Sequence, residues 1–183
     1  MTTPRRIFRI YEALARDAEL VRDFQIARGE KVSGTVQLLV ERDAERMLRR
    51  WGEEMQELAD VLDGIHEDPY IVEASQTYYW ACLYAVTQGC RWEDLGFELL
   101  PREAMSSGMT TTRELRGAVQ RVVERGTAAP PVKLFVLWLV ADVLYRRQTP
   151  PEAQRSLAEI MAYDLAQMRR RDYLHPLLAK ITD

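Results

Sequence analysis

The chain has 183 residues, of which 47% are hydrophobic and 29% charged, and a formal net charge of −3. These proportions predict a single globular domain with a real core, and the slight acidity offers no electrostatic footprint for a nucleic-acid polymer. Cys82 and Cys90 are too few and wrongly spaced for a disulfide scaffold or a zinc site, which predicts a reducing, cytoplasmic setting.

In chain order, Met1 to Arg6 carries no apolar signal segment. Ile7 to Ala27 places Ile7, Ile10, Tyr11, Leu14, Leu20, Val21 and Phe24 at helical spacing, and Gly29 to Gly34 breaks that pattern. Thr35 to about Gly64 reads as one long second helix with Val36, Leu39, Met47, Leu48, Trp51, Met55 and Leu58 on its apolar stripe. Asp68-Pro69 predicts an N-cap followed by proline in the first turn, and Gly89 stops the third helix. Trp92 to Gly108 is less regular. Thr111-x-x-Glu114 is a capping-box pattern opening a helix to Arg125. Pro130-Pro131 precedes an apolar helix to Arg147. Its run Leu134 to Tyr145 is interrupted by Asp142 and is too short to span a bilayer, so no membrane partner is expected. Thr149-Pro150-Pro151-Glu152 predicts a last capped helix reaching about Arg171. The expectation is an all-α antiparallel bundle forming one domain over residues 1–183. Its core spans about 35–98, with a helical extension over about 110–183. Gly108 and Gly126 are possible hinges between lobes, but neither marks a domain boundary.

The chemistry concentrates on the second and third helices. At 100° per residue Glu54 and Glu57 share a face, at the edge of the apolar stripe and toward the packed partner. Arg50 lies on the same flank one turn earlier. Glu73 and Gln76 share a face of the third helix beside Thr77 and Trp80. From Ala74 to Cys90 there is no Asp, Glu, Lys, Arg or His, so Glu73 is the lone charge opening an apolar segment. A buried carboxylate is costly unless a cation compensates it. Helices packed about 8–10 Å apart let carboxylates from both sides converge on one ion, and hard oxygen donors select Mg²⁺ or Mn²⁺. Each acid alone also fits a plainer role. Glu53 can pair with Arg49 or Arg50, Arg50 can bridge to Glu54, and Glu73 can be an N-terminal acid favoured by the helix dipole. Tyr79 and Trp80 suit a base stack or the core.

Three stretches together resemble a known family: Arg50-x-Gly52-Glu53-Glu54-x-x-Glu57, Glu73-Ala74-x-Gln76-x-x-Tyr79 and Gly89-x-x-x-Glu93-Asp94-Leu95. They are similar to the all-α nucleotide pyrophosphatases, a group that includes MazG-like enzymes and phosphoribosyl-ATP pyrophosphatase and whose signature is EExxE followed by ExxD. The resemblance covers about a quarter of the chain. It implies Mg²⁺- or Mn²⁺-dependent hydrolysis between the α and β phosphates of a nucleotide, giving a monophosphate and pyrophosphate. It also implies a homodimer or a dimer of dimers. Carried over by position, it makes Glu54, Glu57, Glu73 and Gln76 metal ligands. Glu53 and Glu54 become catalytic acids, with Glu53 on a second ion or on the attacking water. Arg50 and Trp80 become substrate contacts. Gln76 departs from the pattern, standing where the family has Asp, and Asp60 is a possible compensating acid.

A homodimer is expected for a second reason: the third helix and the Leu134 to Tyr145 helix are apolar on nearly all sides, and one small bundle covers two such helices with difficulty. Isolated His66, beside a helix start, reads as a surface residue, as does Arg169-Arg170-Arg171 at a solvated helix end. Three functional readings follow. The first is a nucleoside triphosphate pyrophosphohydrolase. The second is phosphoribosyl-ATP pyrophosphatase of histidine biosynthesis. The third is a non-catalytic nucleotide- or protein-binding member of the same fold, which Gln76 favours.

Overall fold

The computed structural model describes residues 3–182; Met1 and Thr2, part of the stretch read as lacking a signal segment, and Asp183 lie outside the described residues. The described chain is all-helical. Its α-helices are α1 (Pro4–Arg16), α2 (Ala18–Ala27), α3 (Gly34–Glu41), α4 (Ala44–Leu62), α5 (Tyr70–Thr87), α6 (Leu100–Ser106), α7 (Thr112–Glu124), α8 (Pro131–Gln148), α9 (Leu157–Met168) and α10 (His175–Lys180). Among the described residues no helix is long and apolar enough to cross a membrane.

Local chemistry sets most of these boundaries. Thr111 and Glu114 form the reciprocal capping box that opens α7. Pro131 stands in the first turn of α8, where its missing N–H is no loss. Gly89, at φ 73°, follows the last turn of α5. Pro69, rather than Asp68, is the N-cap of α5.

Four segments depart from the sequence expectation. The first helix is two, broken at Asp17. The long second helix is also two: Arg42 turns left-handed at φ 53°, and the Asp43 side chain accepts from the Arg46 N–H to restart the chain as α4. The irregular stretch after Trp92 contains a 3₁₀ turn, Trp92–Leu95, and α6. The last helix does not begin at Thr149, whose N–H caps α8 by donating to the Tyr145 carbonyl. Pro151–Ala153 is only a 3₁₀ turn, and α9 starts after Ser156, which forms a capping box with Glu159 and ends the helix's search for N-terminal acceptors.

Helix α5 is the centre of the bundle, packed by α1, α4, α8 and α9. This accounts for its missing charges: a helix packed by four others has little solvated face to carry them. Three contacts set its register against α8 and the residues just ahead of it. Tyr70 stacks on Tyr145 with ring centroids 3.6 Å apart, the Trp138 indole donates to the Ala74 carbonyl at 2.9 Å, and Tyr84 donates to the Ala129 carbonyl at 2.7 Å. Positions that rise along one helix and fall along the other make the pair antiparallel.

Against α4 the register runs from Thr87 on Met47, through Trp80 on Arg50, to Glu73 beside Glu57, again antiparallel. The turn Asp63–Pro69 joins these two helices. Helix α8 is buried along Leu134–Ala141 by α4, α5, α6 and α7 of the same chain. Its apolar surface is therefore covered without a second copy, and that physical ground for a dimer is removed.

Candidate metal centre

The α4–α5 seam places three of the acids where the helical periodicity put them. Glu54 and Glu73 are each 1% exposed, and Glu57 is half-buried between α4 and the connecting turn. Ligand atoms of Glu57, Glu73 and His66 all lie within 4.8 Å of one another. His66 comes from the turn, with its Nε2 3.7 Å from Glu73 Oε1 and 3.2 Å from Asp68 Oδ2. His66, expected at the surface, is one-third exposed and makes these two contacts from the turn. The turn is folded back by hydrogen bonds from the Ile65 and His66 N–H groups to the Asp60 carbonyl, which carries the imidazole over Glu73.

The electrostatics record crowding of negative charge. Burial, then the charges of Glu54 and Glu57, push Glu73 up to about 7, while His66 pulls the other way. Burial and the neighbouring Glu57 charge also raise Glu54, against the pull of Arg50. Glu54 Oε2 and Glu73 Oε2 are buried without a hydrogen-bond partner. The Trp80 indole favours ionised Glu54 without closing a hydrogen bond of normal geometry to Oε2. Two orphaned carboxylate oxygens beside an imidazole form a donor set suited to a divalent cation.

The other expected site residues are distributed unevenly. Arg50 donates to Glu54 Oε1 at 2.7 Å and also bridges to Glu53. Glu53 is exposed and paired with Arg50 and, at 3.9 Å, with Arg49, so it stands outside the acidic cluster. Gln76 is exposed, and its Nε2 lies 3.5 Å from Glu73 Oε1, presenting its donor end to the cluster. Asp60 does not compensate for the missing Asp: Arg116 of α7 holds it at 2.7 Å, on another face of α4.

A cavity of about 340 Å³ opens beside this cluster. Its near wall holds Arg50, Glu54, Gln76 and Trp80, with the Arg50 guanidinium 5.5 Å from the Trp80 ring centroid. Its far wall comes from α9 and the turn that follows, including Asp164 and Arg171. Asp164 is buried, receives the Tyr11 hydroxyl at 3.5 Å on Oδ1, leaves Oδ2 unpartnered, and is pushed up to about 7 by burial. Arg171 is half-buried and donates to Thr35 Oγ1 at 3.1 Å, so this part of the arginine run is not a solvated helix end. The Tyr79 hydroxyl is held by the same Thr35 oxygen at 2.9 Å, and its ring meets Trp80 edge-on at 5.0 Å. Comparison of the chain with protein-family models, curated proteins and solved structures finds no match.

Proposed function

We propose that this protein is a divalent-metal-dependent nucleotide pyrophosphohydrolase, cleaving a nucleoside triphosphate between its α and β phosphates. The observation that carries the reading is the convergence of Glu57, Glu73 and His66 within 4.8 Å, with buried Glu54 lining the neighbouring cavity of about 340 Å³. That volume is within the range of small-ligand sites. The family resemblance supplies the reaction type.

When bound, the ion would neutralise phosphate charge and acidify a coordinated water. Glu57 and Glu73 would hold it, with Glu54 completing the set. In the catalytic role that the resemblance gives it, Glu54, a carboxyl raised by burial and by Glu57, would accept a proton from the attacking water. Arg50, already at the seam, would turn from Glu54 toward a phosphate oxygen. Trp80 offers a face on the same wall for the base. A homodimer or dimer of dimers remains part of this proposal through the resemblance alone.

Pyrophosphate release across a panel of nucleotides, phosphoribosyl-ATP included, with Mg²⁺ and with Mn²⁺, tests the proposal. Metal-dependent release that is lost in Glu57→Gln is expected; no release from any nucleotide with either ion would overturn it. One observation favours a non-catalytic nucleotide-binding reading instead: Gln76, where the family has a carboxylate, meets Glu73 through its amide nitrogen. Metal-dependent nucleotide binding without turnover would establish that reading.

A further inference from the structure

We infer that His66 is a direct ligand of this centre and turns its preference from Mg²⁺ toward a first-row transition ion such as Mn²⁺. The inference rests on the metal-site reading above and goes beyond it, because an EExxE–ExxD pattern supplies only oxygen donors.

The chain carries two histidines, and the fold brings one of them to the acids. The 63–69 turn is short and pinned to the end of α4 by the Asp60 carbonyl, so the imidazole is held against α5. Its Nε2 faces Glu73 Oε1 at 3.7 Å, and the three ligand atoms of Glu57, His66 and Glu73 stay within 4.8 Å. Donors bound to one six-coordinate ion stand roughly 3–4 Å apart, so small side-chain rotations close the set. A second sign comes from the same carboxylate: Glu73 Oε2 is buried and has no hydrogen-bond partner, on a side chain 1% exposed.

Gln76 is exposed and meets Glu73 through its side-chain amide, with Nε2 3.5 Å from Oε1. The imidazole adds a nitrogen donor to the carboxylates and amide that the resemblance implied. Mg²⁺ demands hard oxygen donors and dehydrates reluctantly. Imidazole nitrogen is a donor for transition ions, whose affinity for nitrogen sites rises along the series that begins with Mn²⁺. The neutral ring also adds a donor without adding negative charge to a site where Glu54, Glu57 and Glu73 already repel one another. A competing arrangement uses the same distances, with a protonated His66 ion-paired to Glu73 and Asp68 and no ion involved.

The test combines calorimetric titration of Mn²⁺ and Mg²⁺ with pulsed electron paramagnetic resonance of the Mn²⁺-loaded full chain. Both are done at about pH 7.5, where an ordinary imidazole is mostly neutral. Wild type and His175→Gln should show nitrogen-14 modulation from a coordinated imidazole. His66→Gln should lose that modulation and bind Mn²⁺ about tenfold or more weakly, with Mg²⁺ affinity changed much less. Circular dichroism of His66→Gln should match wild type, since the ring is on a turn and one-third exposed. Mn²⁺ binding without nitrogen modulation, or with modulation that survives in His66→Gln, would overturn ligation by His66 and leave the carboxylate centre standing. Equal weakening of both ions would reduce His66 to a structural role. Absence of Mn²⁺ and Mg²⁺ binding in wild type would sink the metal-site reading itself.

Discussion

Arg50 and Trp80 face each other across the α4–α5 seam, the guanidinium carbon 5.5 Å from the ring centroid, while Arg50 Nη2 donates to buried Glu54 at 2.7 Å. The arginine supplies buried Glu54 with a cation; under the proposed metal centre an ion would be a second one. Arg50→Met keeps much of the stem's packing but leaves a buried carboxylate without its partner, which costs about 1–3 kcal/mol. Urea denaturation in chelator should show that loss, and Mn²⁺ should recover part of it. A loss below about 0.5 kcal/mol would class the contact with ordinary surface pairs.

Gln76→Asp restores the carboxylate of the ExxD pattern next to Glu73. Without metal the variant should melt lower than wild type, because a further negative charge joins Glu54, Glu57 and Glu73. With metal the order should narrow or reverse. Affinity for Mg²⁺ should rise about tenfold or more, because attraction between a divalent ion and one more nearby carboxylate is large even at an effective dielectric near 20. Calorimetric titration reads this directly, and equal affinity in the two proteins would remove position 76 from the centre.

Gly52 belongs to the Gly52-Glu53-Glu54 stretch for a steric reason. A Cβ at this position would stand 2.6 Å from Val123 Cγ2 of α7, and a β-branched side chain cannot swing away cheaply. Gly52→Ala gains about 1 kcal/mol of helix propensity but forces α4 and α7 apart, at about 1–3 kcal/mol for overpacking. Net destabilisation is expected in thermal melts, and Val123→Ala in the same chain should relieve it. If Gly52→Ala alone is more stable than wild type, the close approach has no energetic weight.

The parts of the fold legible in the sequence are those with local causes. The Thr111–Glu114 capping box, the Pro131 start of α8 and the Gly89 stop of α5 each depend on a few neighbouring residues, and they stand where the pattern placed them. The breaks at Asp17 and Arg42 were hidden because the apolar stripe runs on across them: Val36 and Leu39 continue helically into Met47 and Leu48. Asp43, a good N-cap three residues before the Arg46 N–H it receives, was the available signal. The facing of Glu54, Glu57 and Glu73 followed from periodicity and a short connector. The parts played by His66 and the α9 wall did not, because they depend on the path of a turn and on contacts such as Tyr11 to Asp164, 153 residues apart. His66 did carry one clue, its place in the connector just ahead of Glu73.

Asp164 makes stability depend on pH in a calculable direction. Burial pushes its carboxyl from an ordinary 3.8 up to about 7, against the pull of Arg171 and of the Tyr11 hydroxyl. Below 3.8 the group is protonated in both folded and unfolded chains, and its contribution is complete. Between 3.8 and about 7 the unfolded chain ionises while the folded chain holds its proton, so stability falls as pH rises, and above about 7 the loss is constant. Asp164→Asn cannot ionise and keeps an acceptor for Tyr11. Its stability should therefore fall less across this window, leaving it more stable than wild type above neutrality by up to about 4 kcal/mol. Glu73, also near 7, contributes to both chains and cancels in the difference. Urea midpoints measured in chelator from acid to mildly alkaline pH give the two curves. Parallel curves would mean that Asp164 titrates alike in the folded and unfolded chains, with Arg171 close enough to offset its burial.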